Sequence, residues 1–262
     1  MQVRRRRVLV TGASSGIGAA TAIRLAREGA LVALTGRDAE RLESVASECR
    51  DLGVPAWAGA ADLAERGAAT ALAARAESAF GPLDAVVSCA GIPLRRGLDR
   101  LALDDVERAL RVNFLAVAEL LLALLPALRE RSESAVVVVG SSGGRVGTPG
   151  QAAYSASKFA LTGFLEVVAT ELAGSAVSVR LVQPGPIDTP LWDAPGNDAP
   201  LHTGERWPPE LVAEAVVQAL GARGGFETFV PPDVGEVVAR SVADVDASLT
   251  ERAAWYGSRA RP

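Results

Sequence analysis

The most constraining feature of this chain is an alternation. Seven short apolar runs, at 8–10, 31–35, 54–58, 85–88, 135–140, 177–182 and 227–230, are separated by stretches of helical periodicity. The runs are mostly β-branched, bounded by Gly, Pro or charge, and continuous rather than alternating with polar residues. Strands of that kind are buried on both faces, as in a parallel sheet. Helical stretches at 17–28, 38–52, 64–80, 104–131 and 153–173 supply the crossovers. Right-handed β-α units of this kind build a doubly wound parallel sheet of about seven strands with helices on both faces, an α/β fold. No repeat, linker or low-complexity tract interrupts the pattern, and α/β folds of ~250 residues often form one unit, so residues 1–262 are expected to make a single domain. The segment 184–209 holds seven prolines and little periodicity, which marks a functional loop. A helix at 210–221, the last strand and a helix over 233–256 are expected to close the sheet edge.

Composition removes several function classes. The net charge of −4 gives no electrostatic basis for nucleic-acid binding, and the basic run Arg4 to Arg7 reads as a solvated lead into the first strand. Cys49 and Cys89 are the two cysteines; they have neither metal-ligand spacing nor a disulfide framework. No metal is expected, and the usage suits a reducing, cytoplasmic location. No apolar leader opens the chain. The most apolar stretch, 112–128, is interrupted by Asn113, Glu119 and Pro126 and falls short of the ~20 residues that span a bilayer. It is expected to be a buried or subunit-interface helix.

The first run leads directly into Thr11-Gly12-Ala13-Ser14-Ser15-Gly16-Ile17-Gly18 and then a helix. Glycines here permit a tight turn and close backbone approach, while the N–H groups at the helix start favour phosphate. Ser14 and Ser15 add hydroxyl donors. The second strand ends in Gly36, Arg37 and Asp38. An acid at that tip would bind a ribose 2′-OH and an arginine would favour a 2′-phosphate, so Arg37 favours NADP(H) over NAD(H). Asp38 keeps the alternative open, although it also suits the N-cap of the next helix. Much later come Tyr154 and Lys158, four positions apart and hence on one helical face. A cation beside a phenol favours the phenolate, so Lys158 is expected to lower the pKa of Tyr154 and make it a proton donor and acceptor.

The glycine turn and Tyr154-x-x-x-Lys158 together resemble the short-chain dehydrogenase/reductase family, of the ketoacyl-reductase or carbonyl-reductase type, over 8–189. The resemblance implies a Rossmann-type fold with a cofactor half at about 1–140 and a catalytic and substrate-loop part at about 141–262. It also implies that Lys158 bonds the nicotinamide ribose. The carbonyl-holding serine is Ser141 by ungapped matching to the family pattern, with Ser142 as the alternative. Asn113 would bend its helix and order a water that feeds protons to the lysine. Asp62, beside Leu63, matches the acid that meets the adenine amino group, and its other role is to cap a helix. Ala90 and Gly91 match the family's Asn-Asn-Ala-Gly, whereas Cys89 replaces an asparagine. Pro184, Gly185, Ile187 and Thr189 match the segment that holds the carboxamide.

The expected activity is therefore NADP(H)-dependent interconversion of a carbonyl and an alcohol on a small-molecule substrate. The alternatives are an epimerase or lyase on the same fold, or a non-catalytic NADP sensor. Leu191, Trp192, Leu201, His202 and Trp207 are candidate pocket walls. The helices at 104–131 and 153–173 resemble the family's dimer faces, so a homodimer or homotetramer is expected.

Overall fold

The computed structural model describes residues 1–221 and 225–258. The predicted span 1–262 thus includes 222–224 and 259–262, which lie outside the described residues. Strands β1 (Arg7–Thr11), β2 (Leu31–Thr35), β3 (Ala56–Ala58), β4 (Ala85–Ser88), β5 (Ser134–Val139), β6 (Val177–Pro184) and β7 (Glu227–Val230) form one sheet in the order β3-β2-β1-β4-β5-β6-β7. All six pairings are parallel. The chain walks outward from β1 to β3, returns to place β4 on the other side of β1, and walks outward again. A crevice opens beyond the carboxyl ends of β1 and β4, where ligands bind in such sheets.

The continuous apolar runs explain why both faces are covered. Val8 and Val10 of β1 pack with α1 (Gly16–Arg27), α2 (Ala39–Asp51) and α7 (Pro209–Gly221), while Leu9 faces the opposite layer. That layer is α3 (Ala68–Phe80), α5 (Ala116–Arg129) and α6 (Ala152–Glu171). All six residues of β5 are buried. Leu25, Leu72, Leu124 and Leu165, one from each of four helices, are fully enclosed, and each such side chain contributes about 1.5–3 kcal/mol.

Four differences from the sequence reading have local causes. The third strand starts at Ala56 because Pro55 has no N–H for the ladder; only its carbonyl pairs, with Val32 N at 3.2 Å. Helix α3 starts at Ala68 because Asp62 Oδ1 accepts from Ala64 N at 2.9 Å and keeps 62–65 as a turn. Asp62 thus caps this turn rather than the helix. The predicted helix 233–256 is two, α8 (Asp233–Ala243) and α9 (Val245–Gly257), because Asp244 leaves helical geometry and accepts from Ala247 N at 2.9 Å. Finally, α4 (Leu103–Leu110) joins α5 through a single π turn, Arg111–Leu115. The combined run Leu103–Arg129 has 27 residues, and its most apolar 18-residue window has mean hydropathy 1.8 and is 44% buried. Contrary to the sequence expectation, it is long and apolar enough to cross a membrane; here Leu120, Leu121, Leu124 and Leu128 pack beneath the sheet.

Candidate active site

The glycine turn sits at the crevice with little room to spare. At Gly12, φ is +68° and a Cβ would lie 2.8 Å from Ala90 N. At Gly18 a Cβ would lie 2.2 Å from Gly12 O. Any side chain at these positions would displace backbone. Ser15 is the extended N-cap of α1 and its hydroxyl makes no capping bond, which leaves the first N–H groups of the helix directed outward. They face a cavity of about 280 Å³. Gly12, Ser14, Ser15, Gly16, Ile17 and Gly18 line one side, and Arg37, Asp62, Leu63, Ala90, Gly91 and Lys158 the others. This glycine cradle, open helix start and long cleft fit a nicotinamide dinucleotide.

The two residues at the tip of β2 are differently engaged. The Asp38 carboxylate accepts from Arg41 N at 3.0 Å, capping α2, and pairs with Arg41 Nε at 3.3 Å. Arg37 lines the cavity. At the end of β4, Thr11 Oγ1 accepts from Cys89 N at 3.2 Å and from Ala90 N at 3.1 Å. One hydroxyl from β1 therefore steadies the segment where an asparagine is replaced.

A second cavity of about 310 Å³ adjoins the first. Tyr154, on the first turn of α6, lines both, as do Thr189 and Leu191. Ser141 and Ser142 line the second, and Ser141 is the one whose side chain pulls the Tyr154 pKa down. Ser141 is itself fixed by the fully buried Gln183, whose Oε1 accepts from Ser141 N at 2.6 Å, while Ser141 Oγ accepts from Gly143 N at 3.1 Å. Pro184, Gly185 and Ile187 line this second cavity rather than the first.

Lys158 is 5% exposed, and its Nζ donates to Val139 O at 3.3 Å. An ammonium has three donors, and this is the one hydrogen bond it makes among the described residues. Burial pulls its pKa down to about 8. The ammonium lies 5.8 Å from the Tyr154 ring centroid. Tyr154 departs from the sequence expectation: burial pushes its pKa up, and the Ser141 side chain, not the lysine charge, offsets this.

Asn113 occupies the middle of the π turn and is fully buried. Its Oδ1 accepts from Ile92 N at 2.8 Å, and its Nδ2 donates to Ile92 O at 3.1 Å and to Ser157 Oγ at 3.0 Å. The side chain is thus committed to protein partners, and it locks the segment after β4 against α6. A Cβ on Gly91 would lie 3.3 Å from Asn113 Oδ1 and 3.8 Å from Lys158 Nζ.

Of the candidate walls, Leu191, Trp192, Leu201 and His202 line the second cavity. Trp207 does not; it bridges to Ile187 and packs on the core. Sequence reading missed Arg108 and Val112 in the first cavity and Arg95 and Trp255 in the second. Arg95 is 6% exposed, and its guanidinium donates to Asp198 O at 2.9 Å and Trp192 O at 2.6 Å. Its role depends on which loops meet in space, and no spacing in the sequence signals that.

The profile of the short chain dehydrogenase family matches residues 6–199. This chain belongs to that family. It is an oxidoreductase of the short-chain dehydrogenase/reductase class. A Streptomyces coelicolor protein that carries a ketoacyl reductase name is 33% identical over 250 residues, covering 94% of this chain and 93% of its own. Across the curated relatives, the share of the relative's length that this chain spans runs from 17% to 93%. Among solved structures, a Thermococcus sibiricus alcohol dehydrogenase complexed with 5-hydroxy-NADP is 27% identical, with a TM-score of 0.77, covering 86% of this chain and 95% of that one. A Burkholderia phymatum short-chain dehydrogenase/reductase in complex with NAD has a TM-score of 0.85 at 23% identity, covering 94% and 96%, and this second likeness shows the fold alone.

Proposed function

We propose that this short-chain dehydrogenase/reductase interconverts a carbonyl compound and its alcohol with NADP(H), using Asn113, Ser141, Tyr154 and Lys158. The observation that carries the reading is that Tyr154 stands where the dinucleotide cleft and the second cavity meet, with Ser141 lining the second cavity beside it. When bound, the nicotinamide supplies or accepts the hydride. Ser141 and Tyr154 hold the substrate oxygen in the second cavity, and Tyr154 gives its proton to that oxygen in the reductive direction. A phenol with a raised pKa is fully protonated at neutral pH and suits this donor role. Two fixed hydroxyls in a confined site stabilise charge developing on the oxygen.

Lys158 directs its remaining N–H donors into the cleft and returns a proton to Tyr154 through groups bound there. With its side chain committed to Ile92 and Ser157, Asn113 contributes a water site only through its main chain, where the π turn breaks the ordinary hydrogen-bond ladder. The glycine turn, Ser14 and Ser15 hold the phosphates, Arg37 holds the 2′-phosphate, Asp62 and Leu63 flank the adenine, and Ala90, Gly91, Pro184, Gly185, Ile187 and Thr189 flank the nicotinamide side. The free Arg37 and the committed Asp38 support NADP(H) over NAD(H).

The deciding experiment is NADPH oxidation against a panel of ketones, compared with NADH. Tyr154→Phe is expected to lose at least 100-fold in turnover, within the range for a general acid, while its NADPH affinity and circular dichroism stay unchanged. Retained turnover in a folded Tyr154→Phe protein would refute the assignment. Binding of NADPH without turnover of any carbonyl would favour a sensor.

A further inference from the structure

One residue lining the second cavity comes from a helix well beyond the segment matched to the family: Trp255 lies on α9 and lines the cavity together with Pro93, Trp192, Leu201 and His202. The other tryptophan of the lining, Trp192, is immobilised. Trp192 Nε1 donates to Ile187 O at 2.6 Å, its carbonyl is bound by Arg95 at 2.6 Å, and Arg206 stacks 4.4 Å from its ring centre. Helix α9, in contrast, is lightly held. Ser248 is its buried residue among those described, and Val245 and Leu249 are about half exposed at 55% and 54%. Its tie to the catalytic side is Arg252, which donates to Gly147 O in the loop between Ser141 and α6. Elements with so little burial open at low free-energy cost.

We propose that Trp255 is a specificity-determining residue for the carbonyl substrate, and that α9, pinned by Arg252, selects compounds with a compact apolar ring. This rests on the function proposed above. The lining combines the polar groups Ser141, Ser142, Thr148 and Gln151 with the rings of Trp192 and Trp255. A substrate fitting both presents its carbonyl to the hydroxyls and a flat apolar body to the tryptophans, where ring contacts favour stacked or edge-on aromatic partners. At about 310 Å³ the cavity is at the small end of ligand sites, so one or two rings fill it and a third does not. The fixed wall orients the substrate, and the lightly held one sets the size limit.

The test compares wild type with Trp255→Ala and Arg252→Met on 2-butanone, acetophenone and a three-ring ketone, with NADPH saturating. Trp255→Ala is expected to raise the KM for acetophenone about tenfold, with kcat changed less than threefold, to raise kcat/KM for the three-ring ketone, and to leave 2-butanone unchanged. Arg252→Met should move the same ratios in the same direction by a smaller factor. NADPH affinity should stay within twofold for both, because Trp255 and Arg252 lie outside the dinucleotide cleft.

A second arm reads binding without chemistry: the melting-temperature shift that acetophenone gives to NADPH-loaded Tyr154→Phe, with and without Trp255→Ala. Equal shifts in the two proteins, or size ratios that do not move, overturn this proposal. If no ketone is turned over but Trp255→Ala abolishes the acetophenone shift, the hydride-transfer reading fails and the wall assignment stands.

Discussion

The buried lysine makes a stability prediction at the level of one side chain. The ordinary lysine pKa of 10.5 falls to about 8 in the fold. Below about pH 8 both the folded and unfolded chains carry the proton, and the full cost of burying the charge is present. Between about 8 and 10.5 the unfolded chain holds a proton that the folded one has shed, so stability rises with pH; above that window the cost is gone. At ~1.36 kcal/mol per pKa unit the cost is roughly 3 kcal/mol. The Cys49 and Cys89 thiols, pushed up to about 11 and about 12 by burial, act in the opposite sense above pH 9, so the comparison must be made between variants. Lys158→Met is expected to unfold at higher denaturant concentration than wild type at pH 7, with the gap closing by pH 10.5. A gap that does not change with pH would show that the ammonium is not the cause. The placements that could be read from sequence were those that follow from chain neighbours: Gly12 and Gly18 in the tight turn, and Tyr154 and Lys158 one turn apart on α6. The tyrosine's raised pKa could not be read there, because it depends on burial and on Ser141 rather than on spacing along one helix.

At the scale of elements, the π turn is the clearest departure from regular structure. Asn113 spends its whole amide on Ile92 and Ser157, so replacing it orphans the buried backbone N–H and carbonyl of Ile92, while the Ser157 hydroxyl keeps its bond to Tyr154 O. Each unsatisfied group costs about 1–3 kcal/mol. Asn113→Leu is expected to lower the unfolding free energy by roughly 2–6 kcal/mol in urea titration, on the same group-by-group figure, and a loss under about 1 kcal/mol would mean that water replaces the amide. The strands were legible because both-face burial forces unbroken apolar runs, which β5 shows in full. The boundaries of α3 and α9 were not, because each depends on a single Asp carboxylate, Asp62 or Asp244, choosing a local backbone N–H. The π turn leaves no signature either, since apolar periodicity continues through Arg111–Leu115 with one polar residue inside.

Across the whole molecule, exposed apolar side chains occur on several elements, α7, α8 and α9 among them, and three of them lie on the neighbouring helices α5 and α6. Leu122 of α5 is 64% exposed, and Phe159 and Val167 of α6 are 46% and 56% exposed. A face of this kind is covered by another protein surface more often than left to water, and two copies meeting through α5 and α6 would bury it. Sedimentation velocity is expected to show a dimer or tetramer at micromolar concentration, with Leu122→Glu combined with Val167→Glu shifting it to monomer while circular dichroism is retained. A wild-type monomer at all concentrations would remove this expectation.

The loop after β4 and the loop after β6 are stitched together on both sides of one peptide bond. Arg96 donates to Gly196 O at 2.8 Å, while Asn197 Oδ1 accepts from Arg95 N at 2.8 Å and Asp198 Oδ2 accepts from Gly97 N at 2.9 Å. Each stub of a cut between Gly196 and Asn197 would remain fastened to the same anchor, so the polypeptide can be nicked there, or given new ends, without the wall of the cavity falling away.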